Sequence, residues 1–151
     1  MDKFLYSLRS PIFWILVSIF VAFYPMLISI YVFLPLLIGT MGYIFLKGIE
    51  TGKFRYIFIT IVYFINLEVN LSLPFFLTIV ASLLVYNTLY EHLSYFRTCQ
   101  ICKSIFSVIF IDVVYLALIL SYDFIFNISS VVLDNILFYT LIVDILVVVT
   151  L

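Results

Sequence analysis

The sequence predicts an all-α fold: a polytopic integral membrane helix bundle of about six short transmembrane helices, with the N- and C-termini cytoplasmic. Three observations predict it. Hydrophobic residues make up 67% of the 151 and charged residues only 10%, against about 45–50% and about 25% in soluble domains. Mean hydropathy is +1.35, so the apolar surface exceeds what one water-excluded core can hold and the surplus must face lipid. The few charges fall between apolar runs, and under the positive-inside rule a six-span path leaves all seven cations on one side.

The first element has the basic start and apolar run of a signal peptide. Its exit, VAFYP at residues 21–25, lacks the small-residue cleavage pattern, so a retained span over about 11–25 is expected. Residue 2 is Asp and the chain ends VVVTL, which offers no lipidation motif. No charge occurs from residue 11 to residue 46, and one helix of that length would run about 54 Å at 1.5 Å per residue, too long for a ~30 Å hydrocarbon core. The chain must therefore fold back between Tyr24 and Pro35, where Pro25, Ser29 and Pro35 break the pattern, giving a second span over about 30–46.

Residues 47–55, KGIETGKFR, read as a polar loop. A third span follows over about 56–67, then a short polar link at 66–72 containing Glu68 and Asn70. Pro74 fits the first turn of a fourth span over 73–92. Spans five and six cover about 104–122 and 131–151, and the whole chain reads as a single transmembrane domain without linker, low-complexity tract or internal repeat.

On this path Lys3, Arg9, Lys47, Lys53, Arg55, Arg97 and Lys103 share the cytoplasmic side, while Glu68, Asp123 and Asp134 lie in the opposite loops. Tyr24, Tyr31 and Tyr122 fall near the outer boundary and Tyr56, Tyr90 and Tyr95 near the inner one, as an interfacial belt does. Gly39, Thr40 and Gly42 in span two, and Thr78 and Ser82 in span four, are packing residues that allow close helix approach.

A formal net charge of -1 supplies no basic surface for nucleic acid. Cys99 and Cys102 form a C-x-x-C, a spacing that serves redox exchange or two zinc ligands. With His92 and Glu91 they are the weak candidates for a metal site. On a cytoplasmic face the thiols are expected to stay reduced, and the bland reading is a pair of inert loop cysteines. The acids within spans carry more information, because an ionisable group at that depth is costly and faces a bundle interior or water. Asp112 lies about eight residues into span five and Asp144 about seven from the end of span six, so their depths match. No Lys or Arg is predicted at that level, and two facing carboxylates would repel unless one is neutral or holds a cation. Tyr115 and Thr140, a helical turn from these acids, can hydrogen-bond them. The expected role is a polar clasp between helices or contact with a partner's helix, with a proton or cation pathway as the rival. No Walker loop, H-E-x-x-H or G-x-S-x-G motif occurs, so no enzyme activity and no cofactor are expected.

The short six-span plan, LPLLIG at residues 34–39 opening span two, and the acid-containing link FINLEVNLSLPFFL at 64–77 resemble the MreD family of bacterial rod-shape-determining membrane proteins. Members of that family carry glycines and an aspartate in the third hydrophobic segment. Here Glu68 stands near that place without the glycines, and the C-x-x-C lies outside the pattern. The resemblance implies a non-enzymatic scaffold of the bacterial cytoplasmic (inner) membrane that partners MreC and the peptidoglycan-elongation machinery in setting cell shape. The same helical plan is similar to the substrate-binding components of vitamin-type transporters, and a thiol or metal protein using the C-x-x-C is the third class.

Overall fold

Four prolines and four glycines punctuate the chain, and most of the breaks between helices fall at them. The computed structural model describes residues 11–31, 33–93, 100–127 and 135–150. Among them are six α-helices and no strand: α1 Pro11–Ile30, α2 Ile38–Thr51, α3 Phe54–Asn70, α4 Leu77–Leu93, α5 Gln100–Phe126 and α6 Asn135–Thr150. Of the predicted cation and acid positions, Lys3, Arg9, Arg97 and Asp134 lie outside the described residues.

Several segment boundaries differ from the sequence expectation. α5 exceeds the expected 104–122 at both ends, so Asp123 is helical rather than in a loop, and α2 begins at Ile38 rather than near residue 30. Three further differences have a local reason. Pro25 does not break the first helix but sits inside α1, fully buried. Pro25 deprives the Val21 carbonyl of its helical donor, and one position further on Asn66 Nδ2 of α3 donates to the Ala22 carbonyl. The expected polar loop at 47–55 shrinks to Gly52 and Lys53, because Lys47 and Glu50 are good helix formers and α2 runs on to Thr51. Gly52, at φ 64°, supplies the left-handed residue that ends it, and the Gly52 and Lys53 amides donate to the Ile49 and Gly48 carbonyls. The expected polar link at 66–72 is also mostly helix: α3 continues through Glu68 to Asn70, and Pro74 stands in the turn before α4 rather than in its first turn.

The short α2 is the centre of the packing, touching α3, α4, α5 and α6, while α1 packs on α3. Its approach to α5 depends on absent side chains. A Cβ on Gly42 would lie 2.9 Å from two carbons of Ile111, so any larger residue there would force the Ile111 side chain to shift.

Each helix turns a narrow stripe inward, and those stripes are rich in small and polar residues. Thr60, Glu68, Thr78, Ser82, Ser104, Ser107, Thr140 and Asp144 are buried, and several hydroxyls bond their own helix, as Ser82 and Ser107 do to the carbonyls four residues back. The outward faces carry Leu, Ile and Phe. On α1 the buried set is Val21, Tyr24, Pro25 and Ile28, at i, i+3, i+4 and i+7, whereas Ile15, Leu16, Ile19, Phe20, Phe23, Met26, Leu27 and Ile30 are exposed. Among the described residues one helix, Ile101–Phe126, is long and apolar enough to cross a membrane; Trp14–Ile30, Leu77–Thr88 and Tyr139–Thr150 are shorter apolar helices.

Candidate functional site

Helix starts need acceptors for their first amides, and the usual suppliers are Ser, Thr, Asp or Asn at the N-cap. The N-cap of α2 is Leu37, which has no side-chain acceptor and holds a left-handed φ of 51°. A carboxylate from α6 does the capping instead. Asp144 Oδ2 accepts the Gly39 amide at 3.1 Å, and Oδ1 accepts the Thr40 amide at 3.4 Å and the Thr40 hydroxyl at 2.6 Å. These are the second and third amides of the helix, the pair that a local cap would serve.

The same device recurs at α4. Phe76, just before the helix, has φ 63°, and Glu68 Oε2 accepts its amide at 2.7 Å. Glu68 Oε1 accepts the Thr78 amide at 2.9 Å and the Thr78 hydroxyl at 2.7 Å. Both acids are sealed from solvent, Glu68 at 0% and Asp144 at 1% exposure. A carboxyl group at such a place is tolerable because three hydrogen bonds and the positive end of a helix dipole replace its water.

The sequence carries a signal for this pairing that was read as no repeat. Residues 34–38, LPLLI, and 73–77, LPFFL, have the same order of Leu-Pro, two apolar residues and a helix start, and the residue before each start is left-handed in both. The first turn's carbonyls are met by tyrosines from other helices: Tyr24 donates to Pro35 at 2.9 Å and Tyr63 to Leu36 at 2.7 Å.

Of the predicted site residues, Asp112 and Asp144 do converge, and they do so over Gly39. A Cβ on Gly39 would lie 2.7 and 2.8 Å from the two carboxyl oxygens of Asp112, while the Gly39 amide donates to Asp144. Asp112 Oδ2 is buried and has no hydrogen-bond partner among the described residues. A cavity of about 20 Å³ lies between the two acids, with Tyr115 and Thr140 also in its wall; that volume admits one water. Tyr115 and Thr140 are both buried, at 5% and 6% exposure. Glu68, expected in a polar link, belongs instead to a second cluster within α3 and α4. Gly39 and Thr40, read from sequence as packing residues, are the ones that bind the acid.

Cys99 lies outside the described residues, as does the side chain of His92 on the last turn of α4. Cys102, in the first turn of α5, is disulfide-bonded, where reduced thiols are expected from the sequence. Among the described residues no group of three His, Cys, Asp or Glu could hold a metal ion. Chemically, the arrangement is a set of buried anchors that hold two helix starts at fixed positions. No family model, curated protein or solved structure matches the chain.

Proposed function

We propose that this chain is a polytopic protein of the bacterial cytoplasmic membrane, with six membrane-embedded helices, acting as a scaffold that holds partner proteins through its helix faces. The apolar outside of the bundle, together with its buried acids, carries this reading. Glu68, Asp144 and several hydroxyls are buried among Tyr63, Phe64, Leu67 and Ile111, while further large apolar side chains, eight on α1 alone, face out. In water that arrangement would leave apolar surface far beyond the few hundred Å² of an ordinary patch; in lipid it is the favourable one. The 14-residue α2 spans about 21 Å and starts within the protein rather than at a membrane surface. Non-helical backbone at such depth is tolerated where protein serves it, as Tyr24, Tyr63 and Asp144 serve residues 35–40.

A scaffold is favoured over a vitamin-type binder by volume. Two cavities among the packed described helices, one beside Asp112 and one beside Tyr43 and Lys103, measure about 20 Å³ each, against roughly 300–1,000 Å³ for a small-molecule site, and the larger space along α1 is open to the outside. The resemblance to MreD adds a place for such a scaffold, beside MreC and the elongation machinery.

Cysteine labelling tests the membrane path. In a Cys99→Ser/Cys102→Ser background, Ser72→Cys is expected to react with a membrane-impermeant maleimide in intact cells, and Gly52→Cys only after lysis. The same reactivity at both positions, or release of the chain by alkaline carbonate, overturns the reading. Purification in mild detergent tests the role: co-eluting MreC or elongation enzymes support it, whereas a clean monomer carrying a tightly bound vitamin assigns the transporter class instead.

A further inference from the structure

Among the described residues, the end of the bundle where α2 turns into α3 carries more positive charge than its neighbours neutralise. Lys47, Lys53 and Arg55 are exposed, and the carboxylate between them in sequence, Glu50, is held by Lys103 at 2.7 Å. Lys53 Nζ stands 5.7 Å from the centroid of the Tyr56 ring. Tyr56 in turn meets Trp14 edge-on, with ring centroids 5.6 Å apart. Trp14 is also the first wall of an open groove of about 400 Å³ along α1, continued by Ile15, Ser18, Ile19, Ala22 and Phe23. A cationic end and an apolar trough are thus joined through one aromatic pair.

We propose that this juxtaposition is a binding site for one anionic phospholipid, its phosphate at Lys53 and Arg55 and an acyl chain in the α1 groove. The inference rests on the membrane reading above and adds a defined ligand to it. Charge complementarity selects the headgroup, since two exposed cations with no acid partner among the described residues attract an anionic lipid over a zwitterionic one. Length fits the tail: from Trp14 to Phe23 the helix rises about 14 Å, close to half of a ~30 Å hydrocarbon core, so the groove follows a chain from the headgroup level toward the midplane. Ser18 and Ala22 form the low floor of the groove, with larger side chains on either side. Free inorganic phosphate would use the cations and leave the groove idle; a neighbouring protein helix would fill the groove and leave the cations idle.

Trp14 is the single tryptophan of the chain and stands where the two halves of the site meet, so its fluorescence reads occupancy directly. The full chain is reconstituted in phosphatidylcholine vesicles containing increasing fractions of brominated phosphatidylglycerol or brominated phosphatidylcholine. Brominated phosphatidylglycerol is expected to quench Trp14 at a several-fold lower fraction. Lys53→Gln and Arg55→Gln should each lower that preference by about fivefold, with helix content by circular dichroism unchanged, and raised salt should weaken it. Equal quenching by the two lipids, no quenching by either, or a preference that survives both substitutions overturns the site. A change in Trp14 emission produced by inorganic phosphate in lipid-free detergent also overturns it, in favour of a free anion. Vesicle flotation separates the two ideas: a chain that floats without lipid preference sinks this site alone, and a chain that does not float sinks the membrane reading with it.

Discussion

Asp144 and Gly39, 105 positions apart, are joined by a hydrogen bond in which the Gly39 amide donates to Asp144 Oδ2 at 3.1 Å. The last helix thereby caps the second, and α2 has no local side chain that could replace it. A carboxylate in this role is worth more than an ordinary surface cap, because its loss strands amides that water does not reach.

Removing the Asp144 cap is expected to destabilise the bundle in order of what is lost. Asp144→Asn keeps one acceptor and should cost about 1–2 kcal/mol, whereas Asp144→Ala should cost about 3 kcal/mol or more. Thermal melts in detergent, followed by circular dichroism, read the difference. A double-mutant cycle with Thr40→Val should return a coupling of about 1 kcal/mol or more; additive effects would refute the Thr40–Asp144 bond.

Gly39→Ala should be among the most damaging single-methyl additions in the chain. Its Cβ would sit 2.7 Å from Asp112 Oδ2 and 2.7 Å from Val108 Cγ1, and overpacking of that kind costs about 1–3 kcal/mol, more than the ~1 kcal/mol that alanine gains over glycine in a helix. Gly52→Ala meets nothing within 4 Å, so it pays only the strain of φ 64°. A melt in which Gly39→Ala is neutral contradicts the convergence of the two acids on this residue.

Glu68 is expected to behave at α4 as Asp144 does at α2. Glu68→Ala should lower stability by about 2–4 kcal/mol by stranding the Phe76 and Thr78 amides, with Glu68→Gln intermediate. Hydrogen exchange localises the effect: faster exchange should begin at residues 76–80 and leave α2 protected. Uniform loosening of both helices would show that the two caps are not separate devices.

The exposed pair Lys103–Glu50 supplies the contrast. Its side chains are 28% and 41% exposed at a separation of 2.7 Å, and such pairs contribute about 0–1 kcal/mol. Glu50→Gln should therefore leave the melting temperature nearly unchanged, whereas the same carboxyl-to-amide change at the buried Asp144 or Glu68 should lower it.

The helical class was legible because it needs only composition and spacing. Apolar runs between sparse charges located six helical segments, and the matched depth of Asp112 and Asp144 placed two acids near one level. Boundaries were less legible. Residues 47–55 look polar, yet Lys and Glu sit comfortably in helix, so charge alone did not mark a loop. Glu68 looked like a link residue for the same reason, and became the buried cap of α4 because the chain doubles back over it within ten positions. The LPLLI and LPFFL pair was the one readable signal of the two helix starts, and it is short enough to pass as chance.

By itself the sequence determined an all-helical chain whose apolar surplus exceeds any single core, since those properties are sums over residues and do not depend on arrangement. Which acid meets which helix start was decided only by tertiary structure. A carboxylate finds its partners by where its helix lies in space, and the amides it caps carry no mark in their own side chains, so no local pattern could have joined Asp144 to Gly39 and Thr40.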